Sequence, residues 1–457
     1  MKCLFFLTMM LFAAPGFAGN HPTHEDVAKH LLSAGLKDGE AYSLLKELTT
    51  EAPHRLSGSK GAEIAVQVTA RQMAQRGFEN VHTESVMVPR WVRGLVERAQ
   101  VMTSGDAPPL DLSVCALGRS IGTAKGGIIA GVVEVHSFEE LKALGEKAKG
   151  KIIFYNRPMD PELPNTFAAY VGAVDQRSRG AIEAAKAGGV AAIVRSMTLA
   201  LDDVPHTGAM GYQDSVPEVP AAAISTIGAN TLSHILAEDP ESQVTLELSC
   251  ETMPDVESAN VVGELRGSER PNEIIVVGGH LDAWDKGSGA HDDGSGCVQA
   301  IEVLNLLKKA GITPKRTIRA VMFMNEENGT CGAKAYPVAP ERKGEVHIAA
   351  IESDRGGFAP RGISVQGDST VVERVKTWQP LFELLNAGRI EEGYGGVDIQ
   401  PLASQGVPAF GLDPENHRYF DYHHSDNDTI DKVNPRELQM GAIVEALLCY
   451  LISEDGL

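Results

Sequence analysis

Cysteine is scarce and poorly spaced for structural work. Six cysteines stand among 457 residues, no two of them as CxxC, and Cys3 falls at the start of an N-terminal apolar run. The other five, Cys115, Cys250, Cys297, Cys331 and Cys449, are odd in number. That excludes a disulfide framework or a thiolate zinc site and leaves buried thiols, with room for one or two bridges in an oxidising compartment. Net positive charge is missing too: the formal charge is -20. Such a balance argues against a nucleic-acid backbone or an anionic membrane surface as partner, and its simplest consequence is solubility. Beyond the N-terminus no stretch is apolar and long enough for a membrane span. Internal repeats and low-complexity tracts are absent.

What remains is globular in composition, 43% hydrophobic and 22% charged. The length exceeds one ordinary compact core, which predicts two or three domains. Lys2, an apolar run from Cys3 to Ala14 and the small residues Gly16 and Ala18 describe a signal peptide over residues 1–18, cleaved after Ala18. The mature chain is then exported, to a periplasm or to the medium.

Residues 40–90 read as a helix, the loop Pro53-His54-Arg55-Leu56-Ser57-Gly58, a second helix and a strand ending near Val88. After about residue 118 the text turns Gly-rich and β-branched. Ser137-Phe138-Glu139-Glu140 opens a short helix by a capping box. Strands follow at 151–155, 190–194, 221–224 and 244–248, with an Ala-rich helix over 180–187. From 260 onward, short apolar runs at 273–277, 317–324 and 347–351 suit buried strands of a largely parallel sheet. Amphipathic helices are predicted at 295–310, 370–387 and 434–453. The expectation is an α/β fold, a mixed and largely parallel sheet sandwiched by helices. Its first part is 19–118 and its second 253–457, with a β-rich insertion over 119–252.

Three of the predicted strands end in metal-binding residue types. The first runs into His280-Leu281-Asp282, the second into Glu326-Glu327 and the third into Asp354. Asp292-Asp293-Gly294 lies between the first strand and its helix, and Tyr422-His423-His424-Ser425-Asp426 comes late. Alone, an HxD triplet is usually loop text, and Glu-Glu or Asp-Asp pairs are common solvated features. Together, in order and at the carboxyl ends of strands, they predict a metal hydrolase. Two His with several carboxylates and no thiolate suit zinc or another borderline divalent ion.

In these motifs, with Glu352-Ser353-Asp354 and His424-Ser425-Asp426-Asn427-Asp428-Thr429, the chain resembles the M28 peptidases. Arg55-Leu56-Ser57-Gly58-Ser59, Ser120-Ile121-Gly122-Thr123, Pro205-His206-Thr207-Gly208 and Pro314-Lys315-Arg316-Thr317 extend the similarity over nearly the whole mature chain. The resemblance implies a zinc exopeptidase fold and two Zn2+ per chain. Asp292 would bridge the ions. His280 and Asp354 would complete one site, Glu327 and His424 the other. His424 is taken over His423 because the family's liganding His lies four residues before an acidic-Thr pair, here Asp428-Thr429. Asp282 would orient His280, and Glu326 would be the general base. Many relatives carry Tyr where this chain has His423, which makes His423 a candidate oxyanion donor. The insertion is similar to a protease-associated domain. Some relatives use an Arg of that domain to hold the substrate's free carboxylate, a role that maps onto Arg177 and competes with an ordinary interdomain ion pair. A homodimer is also implied, though no residue pattern independently shows one.

The function expected is hydrolysis of dipeptides or short peptides with a free C-terminus. An aminopeptidase on the same two-zinc site stays open. A receptor-like ectodomain without catalysis would predict missing ligands, and a one-zinc acyl transferase of the glutaminyl cyclase type would not need both sets.

Overall fold

Consecutive residues of the central strands go to opposite cores, as a period of two requires. A computed structural model describes residues 22–457; the leader expected over 1–18 lies outside them. In the strand Arg270–His280, Ile275 and Val277 join one hydrophobic cluster while Ile274 and Val276 join another. Arg316–Phe323 divides likewise, with Ile318, Ala320 and Met322 on one face and Val321 and Phe323 on the other. Both faces are therefore covered. The larger core lies under the helices His24–Asp38, Ala41–Glu51, Lys60–Gln75, Ser295–Lys309 and Pro435–Asp455.

The helix starts follow local chemistry. Thr23 and Asp26 form a reciprocal capping box, Ser59 accepts from Ala62 N, and Asn434 caps Pro435–Asp455 with proline in its first turn. Ser137 caps Phe138–Leu144 as expected, but Glu140 reaches back to His136 N. The helix expected over 370–387 is two pieces, Ser369–Lys376 and Gln379–Glu383. Pro380 lacks the N–H that a continuous helix needs, so the chain restarts there.

The first sheet has eight strands in the order Glu79–Val92, Glu251–Leu265, Arg316–Phe323, Arg270–His280, Val346–Glu352, Ala409–Pro414, Pro360–Gln366 and Arg389–Glu392. Its four middle strands, from Arg316–Phe323 to Ala409–Pro414, run parallel, and antiparallel partners flank them. The fold class is mixed α/β. Because three adjacent parallel strands end together, whatever follows His280, Phe323 and Glu352 is delivered to one edge.

A second eight-stranded sheet takes Glu97–Met102, Leu110–Leu112, Val114–Ala116, Ile128–Val135, Ile152–Tyr155, Ala191–Arg195, Ala221–Ile224 and Gln243–Leu248. Three of these strands precede residue 119, the boundary expected from composition. Four run parallel, and helices such as Asp175–Lys186 and Thr226–Glu238 accompany them, so this unit is itself α/β rather than simply β-rich. Short strands at 97–116 carry too little apolar patterning to declare their sheet; pairing with 221–224 and 243–248 decides it.

The units share their cores. Trp284 and Trp91 of the first, edge-on at 6.3 Å, lie in the cluster of Ile152, Phe154 and Ile193 of the second. Phe358, Tyr419 and Phe420 join the cluster on the opposite face of the second sheet. Gly118 makes room for Trp284: a Cβ there would sit 1.8 Å from the Trp284 ring. Among the described residues no helix is long and apolar enough to cross a membrane, and all five cysteines are free.

Candidate metal centre

His280 is the last residue of its strand, Asn325-Glu326-Glu327 follows Arg316–Phe323, and Asp354 follows Val346–Glu352. Asp292 arrives from the turn before Ser295–Lys309, and His424 from the loop after the short helix Tyr419–Tyr422. The structure brings all five together. Asp292 Oδ1 lies 3.2 Å from His280 Nε2, which in turn is 3.4 Å from Asp354 Oδ1. Asp292 Oδ2 lies 3.2 Å from His424 Nε2, itself 3.1 Å from Glu327 Oε2. Each oxygen of Asp292 thus faces a different His–carboxylate pair.

These spacings suit cations. Ligand atoms about 2.0–2.1 Å from a tetrahedral zinc lie about 3.3 Å from one another. Asp292 Oδ2 and Asp354 Oδ1 are buried, with only the nearby imidazole nitrogens, none of them well aligned, to meet them among the described residues. Burial alone would push Asp292 up, yet His280 and His424 hold it well below the usual carboxylate range. Burial disfavours a charged His424, but Glu327 and Asp292 raise it to about 10. Imidazoles and carboxylates turned onto one another in this way mark positions that a divalent ion would take, displacing protons from the imidazoles. The donors suit a metal ion: His280, Asp292 and Asp354 lie together as one set, and Asp292, His423 and His424 as another, with Glu327 against His424. His423 also approaches Asp292 Oδ2, at 3.7 Å, with its ring stacked on His424 at 3.5 Å.

Glu326 keeps an outlet to the cleft while its neighbour Glu327 is buried. Burial, with the nearby carboxylates of Asp354, Glu327 and Asp282, pushes Glu326 well above the ordinary range against the pull of His280. Asp282 behaves differently from expectation. His280 Nδ1 meets the Asp282 backbone carbonyl at 2.9 Å, whereas the Asp282 carboxylate accepts the N–H groups of Asn325 and Glu326. The side chain therefore shapes the turn that carries Glu326, and the main chain orients His280.

Arg177, in the helix Asp175–Lys186 of the second unit, reaches the same place. It is 8% exposed, donates through Nη2 to Tyr170 Oη at 2.6 Å, and leaves Nε and Nη1 buried without a partner among the described residues. A cavity of about 260 Å³ is lined by Arg177, Glu326, His423 and the metal-ligand candidates, with aromatic walls from Phe167, Tyr170, Tyr419 and Phe420. Gly208 lets this corner close: its φ is +137°, and a Cβ would meet Arg177 Nη1 at 2.5 Å and His424 Nδ1 at 2.8 Å.

Other supporting residues carried weaker signals. Arg55 is fully buried and donates to the carbonyls of Leu281, Ser288 and Gly289, tying down the loop between His280 and Asp292. Asp428 accepts from His291 N at 2.7 Å and Asp292 N at 3.1 Å. Asp293 accepts from His280 N and Gly296 N. Arg55 and Asp428 stand in motifs visible in the sequence, but nothing local announces what they hold.

Two His and three carboxylates gathered at one edge of a parallel sheet, three of them at or just past strand ends, with a further carboxylate beside them, make the equipment of a metallohydrolase. The chain belongs to peptidase family M28. The model of that family, Peptidase family M28, matches residues 260–448. Carboxypeptidase Q of Mus musculus is 37% identical over 435 residues, covering 94% of this chain and 90% of that protein. Carboxypeptidase Q of Homo sapiens is 35% identical over 433 residues, with 94% and 89% covered. Among solved structures, a peptidase M28 precursor from Shewanella amazonensis superposes with a TM-score of 0.90 at 33% identity, covering 95% of this chain and 97% of that one. The protein is thus an M28 metallopeptidase related to carboxypeptidase Q.

Proposed function

We propose that this chain is a two-zinc exopeptidase that cleaves dipeptides or short peptides bearing a free C-terminus. One observation carries the reading: both His–carboxylate sets, Glu326 and Arg177, two of whose nitrogens are unpartnered among the described residues, line one cavity of about 260 Å³. That volume lies below the roughly 300–1,000 Å³ usual for drug-sized ligands, which favours a substrate the size of a dipeptide. The names of the carboxypeptidase Q relatives support the same direction.

Bound zinc would polarise the scissile carbonyl and lower the pKa of the attacking water. Glu326, held beside the ligands without being one of them, accepts the water's proton and returns it to the leaving amine. His423, which burial and the adjacent His424 keep well below the usual imidazole range, is neutral and offers one N–H to the developing oxyanion. Arg177 turns its Nη1–Nη2 edge to the terminal carboxylate, a planar two-point contact that Lys could not make, while Nη2 keeps its other N–H on Tyr170. The second unit acts as a module of the protease-associated type, closing the cavity with Phe167, Tyr170, Arg177 and Ala209.

The test is a dipeptide panel with each terminus blocked in turn, assayed with and without chelator. Free and N-acetylated substrates should be cleaved, C-terminal amides poorly, and the chelator should stop all cleavage until zinc is restored. Cleavage of amides with refusal of N-acetylated substrates would replace this reading by an aminopeptidase.

A further inference from the structure

The two metal-ligating His candidates are oriented by different means. His280 has a partner for its second ring nitrogen, the Asp282 carbonyl at 2.9 Å. His424 has none: its Nδ1 is buried without a hydrogen-bond partner among the described residues. Metal-bound His nearly always needs such a partner to fix its ring. Its backbone is moreover in the left-handed region, φ +59°, which a residue with a side chain adopts only when its surroundings impose it.

Those surroundings come from the second unit. His206 Nδ1 meets the His423 carbonyl at 2.7 Å, and Thr207 N donates to the His424 carbonyl at 2.9 Å. Consecutive residues of one loop thus grip consecutive carbonyls of the other. A carbonyl can only accept, so His206 carries its proton on Nδ1. The gripping loop is itself fixed within its own unit. His206 N donates to Ser196 Oγ at 2.8 Å, Thr207 Oγ1 to the Ala116 carbonyl at 2.9 Å, and Gly118 N to the Gly208 carbonyl at 2.9 Å. Asn427 Nδ2 donates to Asp202 Oδ2 at 3.2 Å, adding a third tie beyond the liganding loop. His206 is fully buried, touches neither the proposed substrate pocket nor a metal-ligand side chain through any hydrogen bond, and has no part in the mechanism above.

We infer that His206 and Thr207 are positioning residues that hold the His423–His424 corner in its metal-binding conformation, so that the Glu327–His424 site is completed by the second unit across the interface. This rests on the two-zinc reading and assigns to the second unit a role beyond covering the substrate. The ion held by His280 and Asp354 does not depend on the clasp, because both of its own ligands sit at the ends of strands in the first sheet.

The experiment is equilibrium dialysis of the full chain against graded zinc buffers, with zinc per chain from elemental analysis and the electronic spectrum of the cobalt(II)-substituted protein as a second readout. His206→Leu, which cannot donate, should bind the first ion as wild type does and the second about 10- to 100-fold more weakly. Its cobalt spectrum should lose the contribution of the second ion. His206→Asn, whose amide nitrogen sits near the place of Nδ1, should recover most of that affinity. Should His206→Leu fail to fold, His206→Gln replaces it, since its donor lies one bond too far out. Wild-type affinity for both ions in the non-donating variant would overturn the assignment, as would failure of folded His206→Asn to recover. If wild type itself binds fewer than two ions, the two-zinc reading fails first, and the variants do not enter.

Discussion

Asp282 Oδ1 accepts the backbone N–H of Glu326 at 3.0 Å, and that of Asn325 at 2.6 Å, from across two neighbouring parallel strands. Asn325 is in the left-handed region, φ +77°, so the chain turns sharply after Phe323 and sends Glu326 toward the cleft while Glu327 is buried. One carboxylate thus holds the turn at which two adjacent Glu residues part in exposure. Asp282→Ala would leave two N–H groups without their acceptor, and kcat should fall about 10- to 100-fold with the metal content kept. Asp282→Asn retains a carbonyl oxygen and should recover much of the loss. Equal loss in both variants would show that charge, not the acceptor, is what the turn needs.

Glu326→Gln should bind both ions and lose about 100- to 10,000-fold in kcat, because only proton transfer is removed. Elemental analysis on the same samples separates this from metal loss. Near-wild-type kcat at full metal content would remove Glu326 from the role of base.

Asp292 faces both sets of ligands through separate oxygens, so Asp292→Ala should lower zinc stoichiometry more than any other single ligand change. His424→Ala, which touches one set, should leave one tightly held ion. The opposite ranking by elemental analysis would exclude a bridge.

Arg177→Ala should reduce kcat/KM on free dipeptides about 10- to 100-fold, from the loss of charge-assisted hydrogen bonds worth roughly 1.5–3 kcal/mol. C-terminally amidated dipeptides should be nearly unaffected. The same loss on both substrates would make Arg177 a structural support for Tyr170 within the second unit rather than a substrate contact.

Far from the cleft, Glu445 is buried in the helix Pro435–Asp455, neither oxygen has a hydrogen-bond partner among the described residues, and Cys449 lies one turn on. Burial pushes its carboxyl up to about 8. An unfolded Glu titrates near 4.3, so the folded protein holds this proton more tightly between those two values. Stability therefore falls as pH rises from about 4.3 toward 8, by as much as about 1.4 kcal/mol per pH unit. Glu445→Gln should raise Tm at pH 8 and leave it nearly unchanged at pH 4.5, measured by thermal unfolding of the metal-free protein. A rise of equal size at both pH values would exclude titration as the cause.

Much of the molecule is local enough to be legible in the sequence. Buried parallel strands are short apolar runs, and the polar residues that interrupt them, at His280, Glu326 and Asp354, mark the edge where ligands gather. Caps at Ser59, Ser137 and Asn434 declare helix starts, because each satisfies N–H groups only two or three residues away. Other features depend on partners hundreds of residues distant. The second sheet begins at Glu97 because those strands pair with 243–248, not because of their own text. Asp282 acts on Glu326 through its side chain and on His280 through its carbonyl, a division set by main-chain direction that residue type does not encode. The aim of Arg177 into the cavity, and the grip of His206 on a carbonyl 217 residues later, arise only when the two units dock. Residue chemistry and period determined which groups were available; the packing of one sheet against the other decided which atoms of those groups meet.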